Sequence, residues 1–178
     1  GAWDAYMVTI PSKPLIVGDE LYVYYGGSSN HHDWWVTGRR EGVRAPEATD
    51  ISLVSYGLGL SKLRLDGFVS LDAGLARPGI LITRPLISGG TRLAVNARCH
   101  QHGSIAAEIV NIHDDVVPGF SRQECDTFTG DSVNHVFSWQ GRTEVPVWSR
   151  ERAKYPEAEV ERFRKIRFYM ENAELYSF

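Results

Sequence analysis

The strongest constraint on the fold is a two-residue alternation of apolar and polar side chains that recurs along most of the chain. This alternation is typical of strands that bury one face, because successive side chains of a strand point to opposite sides. Turn signals such as Asp-Gly, Gly-Gly, Pro-Gly and the Gln-Gly at 140–141 separate the alternating segments. The candidate strands are residues 21–25, 56–65, 68–71, 80–86, 92–97, 105–109, 133–139 and 166–170.

Many short strands at near-regular spacing predict an all-β fold. We expect a two-sheet antiparallel β-sandwich of the jelly-roll type, with at most one short helix, at residues 157–165 after Pro156. The chain has 178 residues, of which 43% are apolar, enough for one domain. With 19 basic and 22 acidic residues it has no basic excess for phosphate backbones, so no nucleic-acid partner is expected. No apolar run approaches the roughly 20 residues that span a bilayer, so no membrane partner is expected either.

Residues 28–50 interrupt the alternation and gather the most informative polar and aromatic cluster. Trp34 and Trp35 are neighbours, so an extended segment turns them to opposite sides, and at least one indole is expected near solvent. A flat ring beside charged groups suits the C–H face and the hydroxyls of a pyranose. The alternative is that the two rings fasten this loop onto the sheet and that Tyr24 belongs to a core. The candidate carbohydrate-binding residues are Trp34, Trp35, His31, His32, Asp33, Arg39 and Tyr24.

Metal ligation has two weak candidates. Glu124, Asp126 and Asp131 supply oxygen ligands of the kind that a structural calcium prefers, although acidic loop residues more often cap turns. His100 and His102 are spaced to share one side of a strand, but Gly103 beside them indicates a hairpin tip instead. No cofactor is expected to be required, and structural calcium is left open as an addition.

No catalytic centre stands out in the sequence. A nucleophile elbow and a phosphate-binding loop are both absent from it, and Gly57-Leu58-Gly59 lies inside a strand pattern. A polysaccharide lyase would need a Tyr or His base beside an Arg or Lys that neutralises the uronate; His135, Tyr169 and Arg167 are one such trio among many. The two cysteines, Cys99 and Cys125, either pair with each other or remain free thiols.

Several motifs together resemble a known family. They are Leu-Tyr-Val-Tyr-Tyr-Gly-Gly at 21–27, Leu-Arg-Leu-Asp-Gly-Phe at 63–68, Pro-Gly-Phe-Ser at 118–121 and the ending Leu-Tyr-Ser-Phe at 175–178. The chain resembles the C-terminal portion of bacterial proteins related to five-bladed-propeller glycoside hydrolases, in which a last blade leads into a β-sandwich accessory domain. The resemblance implies blade-like N-terminal strands and a long loop at 1–65 and the sandwich proper at 66–178, within a single domain of residues 1–178. The cluster around Trp34 is not part of that pattern.

The resemblance also implies a function. It favours a non-catalytic carbohydrate-binding module that anchors a polysaccharide-degrading enzyme to its glycan, with no catalytic residue carried over. The implied partners are an oligosaccharide or polysaccharide and the catalytic domain of a parent enzyme. A secreted or periplasmic location follows from the same resemblance, although residues 1–4 do not read as a signal peptide. The alternatives are a small β-sandwich lyase or glycoside hydrolase, and a structural accessory domain without glycan affinity, which predicts a sizeable exposed apolar patch.

Overall fold

The structure is a computed structural model that describes residues 2–10, 13–29, 39–40, 43–44, 51–87, 89–145 and 163–178. Its strands are β1 (Met7–Thr9), β2 (Leu15–Val17), β3 (Glu20–Ser28), β4 (Arg39–Arg40), β5 (Val43–Arg44), β6 (Tyr56–Arg64), β7 (Leu71–Ala73), β8 (Gly79–Ile82), β9 (Ala94–Val110), β10 (Asp131–Val136) and β11 (Lys165–Ser177). A single 3₁₀ turn, Ile51–Leu53, is the only helical element in these described ranges.

The all-β fold class with two antiparallel sheets, predicted from the alternation, is confirmed. One sheet has four strands and the other five, and β4 and β5 form a separate two-stranded ribbon. The chain divides into two units, Gly1–Leu65 and Asp66–Phe178. Within the described part of the chain, no helix has the length and hydropathy needed to cross a membrane.

The first unit is organised around β3, the central strand of the four-stranded sheet. β1 and β2 pair with opposite ends of one edge of β3, and β6 pairs with its other edge along the full length. On one face of this sheet, the rings of Trp3 and Tyr25 stack with centroids 5.8 Å apart, and the Tyr25 hydroxyl donates to Asp4 at 2.8 Å. This face of the sheet therefore has an aromatic layer, which is formed by residues of the first unit.

Glycines make room for that aromatic layer. A Cβ at Gly59 would meet the Tyr25 ring, and a Cβ at Gly27 or Gly57 would meet the indole of Trp3. Gly57 and Gly59 lie in β6, as the strand pattern predicted, and Gly27 lies in β3; at all three positions the missing side chain lets a ring lie against the sheet.

The second unit is organised around β11, the central strand of the five-stranded sheet. β9 pairs with one edge of β11, β7 and β8 pair with the other edge, and β10 lies beyond β9. The alternation in β11 separates a buried row, which includes Phe168 and Met170, from a polar row, which includes Arg167 and Tyr169. The core also contains large side chains from β9 and from the segment that follows β10: Val95, Ile105, Phe137 and Trp139.

A tight turn follows Trp139, one of the buried residues of this core. Gln140 and Gly141 both have positive φ, 52° and 78°, which is the geometry of a type I′ turn and favours glycine at the second position. The turn brings Trp139 and Arg142 into an isolated bridge. The indole nitrogen of Trp139, which is buried, donates to the Ala107 carbonyl at 3.2 Å. The Gln-Gly turn signal in the sequence is thereby confirmed.

Three local predictions need correction. Gly103 is not a hairpin tip: β9 continues through it, and a bulge there brings the glycine against the backbone of Asn172. Residues 68–70 precede β7 rather than forming a strand. Of the helix predicted at 157–165, residues 157–162 lie outside the described ranges, while Arg164 bridges Leu86 and Lys165 begins β11, because pairing with β9 and β8 keeps this end extended.

Candidate functional site

Most of the carbohydrate site predicted from the sequence falls outside the described residues. His31, His32, Asp33, Trp34 and Trp35 all belong to that part. The backbone of Arg39 pairs with Arg44 in the β4–β5 ribbon. Tyr24 is the predicted site residue whose side-chain surroundings the structure gives.

Tyr24 lies on an open face of the first unit rather than in a core. Tyr22 and Tyr24 share this face because they are two residues apart on β3, about 7 Å along the strand. Leu60 pairs with Tyr24, and Leu58 and Tyr56 follow at alternate positions of β6, so all five side chains share the same face. We call this set, Tyr22, Tyr24, Tyr56, Leu58 and Leu60, the tyrosine face. Tyr24 is 46% exposed and Tyr56 60% exposed.

A charged pair borders the tyrosine face at the end near Tyr22. The Lys62 ammonium lies 4.5 Å from the centre of the Tyr22 ring and 3.8 Å from the Glu20 carboxylate. Both charged side chains are about half exposed, at 50% and 48%. The face therefore offers exposed rings together with a hydrogen-bond donor and an acceptor at one margin.

Calcium ligation is not assembled at the predicted acidic residues. The Ser121 hydroxyl and N–H donate to Glu124, and these bonds lower the pKa of that carboxyl. Asp126 accepts from the Ser138 hydroxyl and the Gly141 N–H, and its pKa is lowered for the same reason. Asp131 pairs with Arg98 at 3.2 Å. Among the described residues, no group of three or more His, Cys, Asp or Glu side chains is placed to hold a metal. These carboxylates instead hold turns and a strand pair.

The two histidines considered as metal ligands have other environments. His100 Nε2 lies 3.1 Å from Glu174 Oε1, and the Tyr176 hydroxyl donates to the other oxygen of the same carboxylate. These two partners lower the pKa of Glu174, with Tyr176 the larger cause. His102 has a positive φ of 63° in the β9 bulge and is exposed. Because of this bulge, His100 and His102 do not follow the regular strand geometry on which the predicted metal site depended.

The trio proposed for a lyase is only partly brought together. Arg167 and Tyr169 share the polar face of β11, and both donate to Glu108 Oε1 at 3.0 Å. His135 stacks on Phe128 with ring centroids 4.2 Å apart, and burial lowers its pKa. Burial, followed by the bond to Glu108, raises the pKa of Tyr169, which makes the phenolate harder to form. Since Arg167 is already held by carboxylates, this arrangement does not supply a ready base and a free cation.

The centre of this polar face is a buried carboxylate that sequence reasoning did not single out. Glu108 is 5% exposed, and its second oxygen accepts from the Arg122 N–H at 3.2 Å. Arg167 also donates to Asp114 at 2.8 Å, and Lys165 pairs with Asp114 at 2.6 Å. Lys165 and then Arg167 lower the pKa of Asp114. The available signal was an acid inside an apolar run, Ile-Ala-Ala-Glu-Ile-Val at 105–110, which requires a charged or hydrogen-bonding partner.

Both cysteines are free thiols, Cys125 buried and Cys99 partly buried. The structure thus decides between the two alternatives that the sequence left open. Comparisons of the chain with models of known protein families, with curated proteins and with solved structures find no match.

Proposed function

We propose that the protein is a non-catalytic carbohydrate-binding module. The observation that supports this proposal is the pair formed by the half-buried Tyr22 and the exposed Tyr24, on one face of a sheet beside a charged margin. A pyranose lays its axial C–H groups on an aromatic ring, and its hydroxyls bond to nearby charged groups. Strands fix the spacing of the rings before the ligand arrives, which reduces the entropy lost on binding.

The proposed ligand is an oligosaccharide or polysaccharide, and the resemblance to propeller-related glycoside hydrolases suggests the catalytic domain of a parent enzyme as the second partner. In that setting the module would act outside the cell or in the periplasm. Binding of this kind needs no cofactor. A few stacking contacts correspond to micromolar-to-millimolar dissociation constants, or about −4 to −8 kcal/mol. Such affinity allows an enzyme to attach to a polymer and to move along it.

The experiment is a calorimetric titration of a panel of neutral oligosaccharides into the wild type and the Tyr24→Ala variant. We expect the variant to bind at least tenfold more weakly, because it loses the ring on which the sugar is proposed to stack. Phe68→Ala is the matched control, since Phe68 is an aromatic side chain 70% exposed in the other unit. Equal binding by the wild type and Tyr24→Ala would remove the tyrosine face as the site. No binding to any glycan would remove the function.

The double variant Trp34→Ala/Trp35→Ala separates the two aromatic sites considered for the module. Loss of binding in this variant with normal binding by Tyr24→Ala would assign the glycan to residues 31–35. Loss in both would indicate one continuous platform.

A structural accessory domain is the second candidate, and it also has a specific observation in its favour. Leu58 is 85% exposed and Leu60 41% exposed on the tyrosine face, and Leu15 and Val17 of β2 are 54% and 47% exposed. Aliphatic side chains contribute little to sugar stacking, whereas exposed apolar patches mark protein contacts. Under this candidate the wild type binds no glycan and self-associates at high concentration, and Leu58→Lys abolishes the self-association in sedimentation velocity runs.

A further inference from the structure

The second unit has a pocket on the polar side of its sheet that none of the functions above uses. Its volume is about 220 Å³, and its lining includes Ile80, Ser104, Arg122, Tyr169 and Glu171. Strand pairing places these groups: Tyr169 lies opposite Ile80 of β8 on one side of β11, and Glu171 lies opposite Ser104 of β9 on the other. Ligand pockets for drug-sized molecules begin at roughly 300 Å³, so this pocket has room for about one ring.

Arg122 brings a positive charge without a carboxylate partner to this pocket. Its guanidinium lies 4.4 Å from the centre of the Tyr169 ring, and it forms no ion pair with another described residue. The nearest buried carboxylate, Glu108, is already occupied, since it accepts from Arg167, Tyr169 and the Arg122 backbone N–H. Stacking on a ring leaves the planar N–H donors of an arginine for other ligands. The Arg122 guanidinium is therefore positioned to bind the carboxylate of a ligand.

The rest of the lining fits the hydroxyls and the carbon skeleton of a sugar. Glu171 is exposed and forms no ion pair with any residue in the described ranges. A carboxylate accepts hydrogen bonds from hydroxyl groups and repels a second anion, so it favours a ligand with one acidic end and one hydroxylated end. The Ser104 hydroxyl adds a further donor and acceptor, and Ile80 gives an apolar wall for C–H groups.

We propose that this pocket binds a pyranose ring that bears a carboxylate, that is, a uronic acid residue. The carboxylate pairs with the Arg122 guanidinium, for which bidentate geometry is favourable, and ring hydroxyls bond to Glu171 and Ser104. The proposal does not rest on the tyrosine face, which belongs to the other unit. Binding of the sugar acid is reversible, and no covalent bond is made or broken.

The test is a nuclear magnetic resonance titration of the full chain with digalacturonate. Arg122→Gln should weaken binding at least tenfold, because the carboxylate loses its charged partner, and Glu171→Gln should weaken it about threefold through the hydroxyls. Arg142→Gln is the matched control: Arg142 also stacks on an aromatic ring of this unit, at 4.4 Å from the centre of Phe120, but it does not line the pocket. The dissociation constant of this control variant for digalacturonate should lie within twofold of the wild-type value.

Further titrations test the class of ligand and distinguish this pocket from the tyrosine face. Galacturonate is titrated beside cyclohexanecarboxylate, which carries the acid on a ring of the same size without hydroxyls and should bind at least fivefold more weakly. Equal binding would overturn the assignment to a sugar acid. Absence of digalacturonate binding by the wild type, or equal binding by Arg122→Gln with a folded spectrum, would overturn the site itself. Tyr24→Ala should leave digalacturonate binding unchanged, so failure here and failure of the tyrosine face are separate results.

Discussion

Glu108 and Arg167 lie directly opposite each other in the β9–β11 pair, and Arg167 Nη1 donates to Glu108 Oε1 at 3.0 Å. The side chains of this pair are 7% and 20% exposed, so the ion pair is largely withdrawn from water. A carboxylate in such a position is tolerated because three donors surround it. The pair joins the two longest strands of the second unit and orients Tyr169 and the backbone of Arg122.

The first prediction concerns this pair. Glu108→Ala leaves Arg167 with Asp114 as its remaining partner and removes the acceptor of the Tyr169 hydroxyl, so we expect a loss of about 2–4 kcal/mol in the free energy of unfolding. The measurement is urea denaturation followed by near-ultraviolet circular dichroism. Glu144→Ala, at an exposed acid of the same unit, should change stability by less than about 0.5 kcal/mol. Equal midpoints for the two variants would show that the pair contributes nothing to stability.

The strands were predictable where one face of a strand is buried and the other is not. β3, β6 and β11 follow the alternation; the bounds of β3 and β6 lie within three residues of the predicted segments, whereas β11 continues to Ser177, beyond the predicted 166–170. In contrast, the end of β9 buries both faces, since Ala106 and Val110 on one face are buried, as Ile105 is on the other. The alternation predicted strands at 92–97 and 105–109, but it could not reveal that both belong to β9, which continues through a bulge at Gly103.

The site was less predictable, because its geometry depends on pairings between distant segments. The position of Tyr24 on an open face follows from its neighbours on β6, which the sequence does not specify. The stacking of Arg122 on Tyr169 likewise requires the register of β11 and the course of the chain after β9. Local propensity gives strands and turns, whereas tertiary pairing decides which side chains meet.

The second prediction tests the bulge. A Cβ at Gly103 would collide with the carbonyl oxygen of Asn172, a backbone atom that lies between Glu171 and Ala173, both of which pair with β9. We expect Gly103→Ala to cost about 2–3 kcal/mol, in the range of overpacking. Gly74→Ala is the matched control, because no atom of the described part of the chain lies within 4 Å of its added Cβ. Thermal unfolding of both variants measures the difference, and an unchanged midpoint for Gly103→Ala would contradict the close approach.

The third prediction concerns the pH dependence of stability through His135. Burial lowers the pKa of this imidazole below its usual 6.5, and its buried Nε2 has no hydrogen-bond partner among the described residues. As pH falls through about 6.5, His135 becomes protonated in the unfolded chain but stays neutral in the folded chain. The free energy of unfolding therefore decreases. Stability therefore rises with pH across this window until the unfolded histidine is neutral.

Two measurements check this prediction. An NMR titration of the ring protons should give His135 a pKa below 6.5 in the folded protein. His135→Phe keeps a ring against Phe128 and removes the ionisation, so the stability difference between pH 7 and pH 5 should shrink. A pKa at or above 6.5, or an unchanged pH dependence in the variant, would contradict the burial of the imidazole.

The fourth prediction concerns the reactivity of the two thiols. Burial raises the pKa of Cys99 to about 11 and also raises the pKa of Cys125, so little of either thiol is ionised near neutral pH. Because the thiolate is the reactive form, Cys99 at pH 8 should react with a disulfide reagent about a hundredfold more slowly than the same thiol in urea, where its pKa is about 8.5. Urea without reductant should release two titratable thiols per chain, since neither cysteine is paired. Rapid labelling of the native chain would contradict the raised pKa values, and fewer than two thiols in urea would mean that the cysteines form a disulfide.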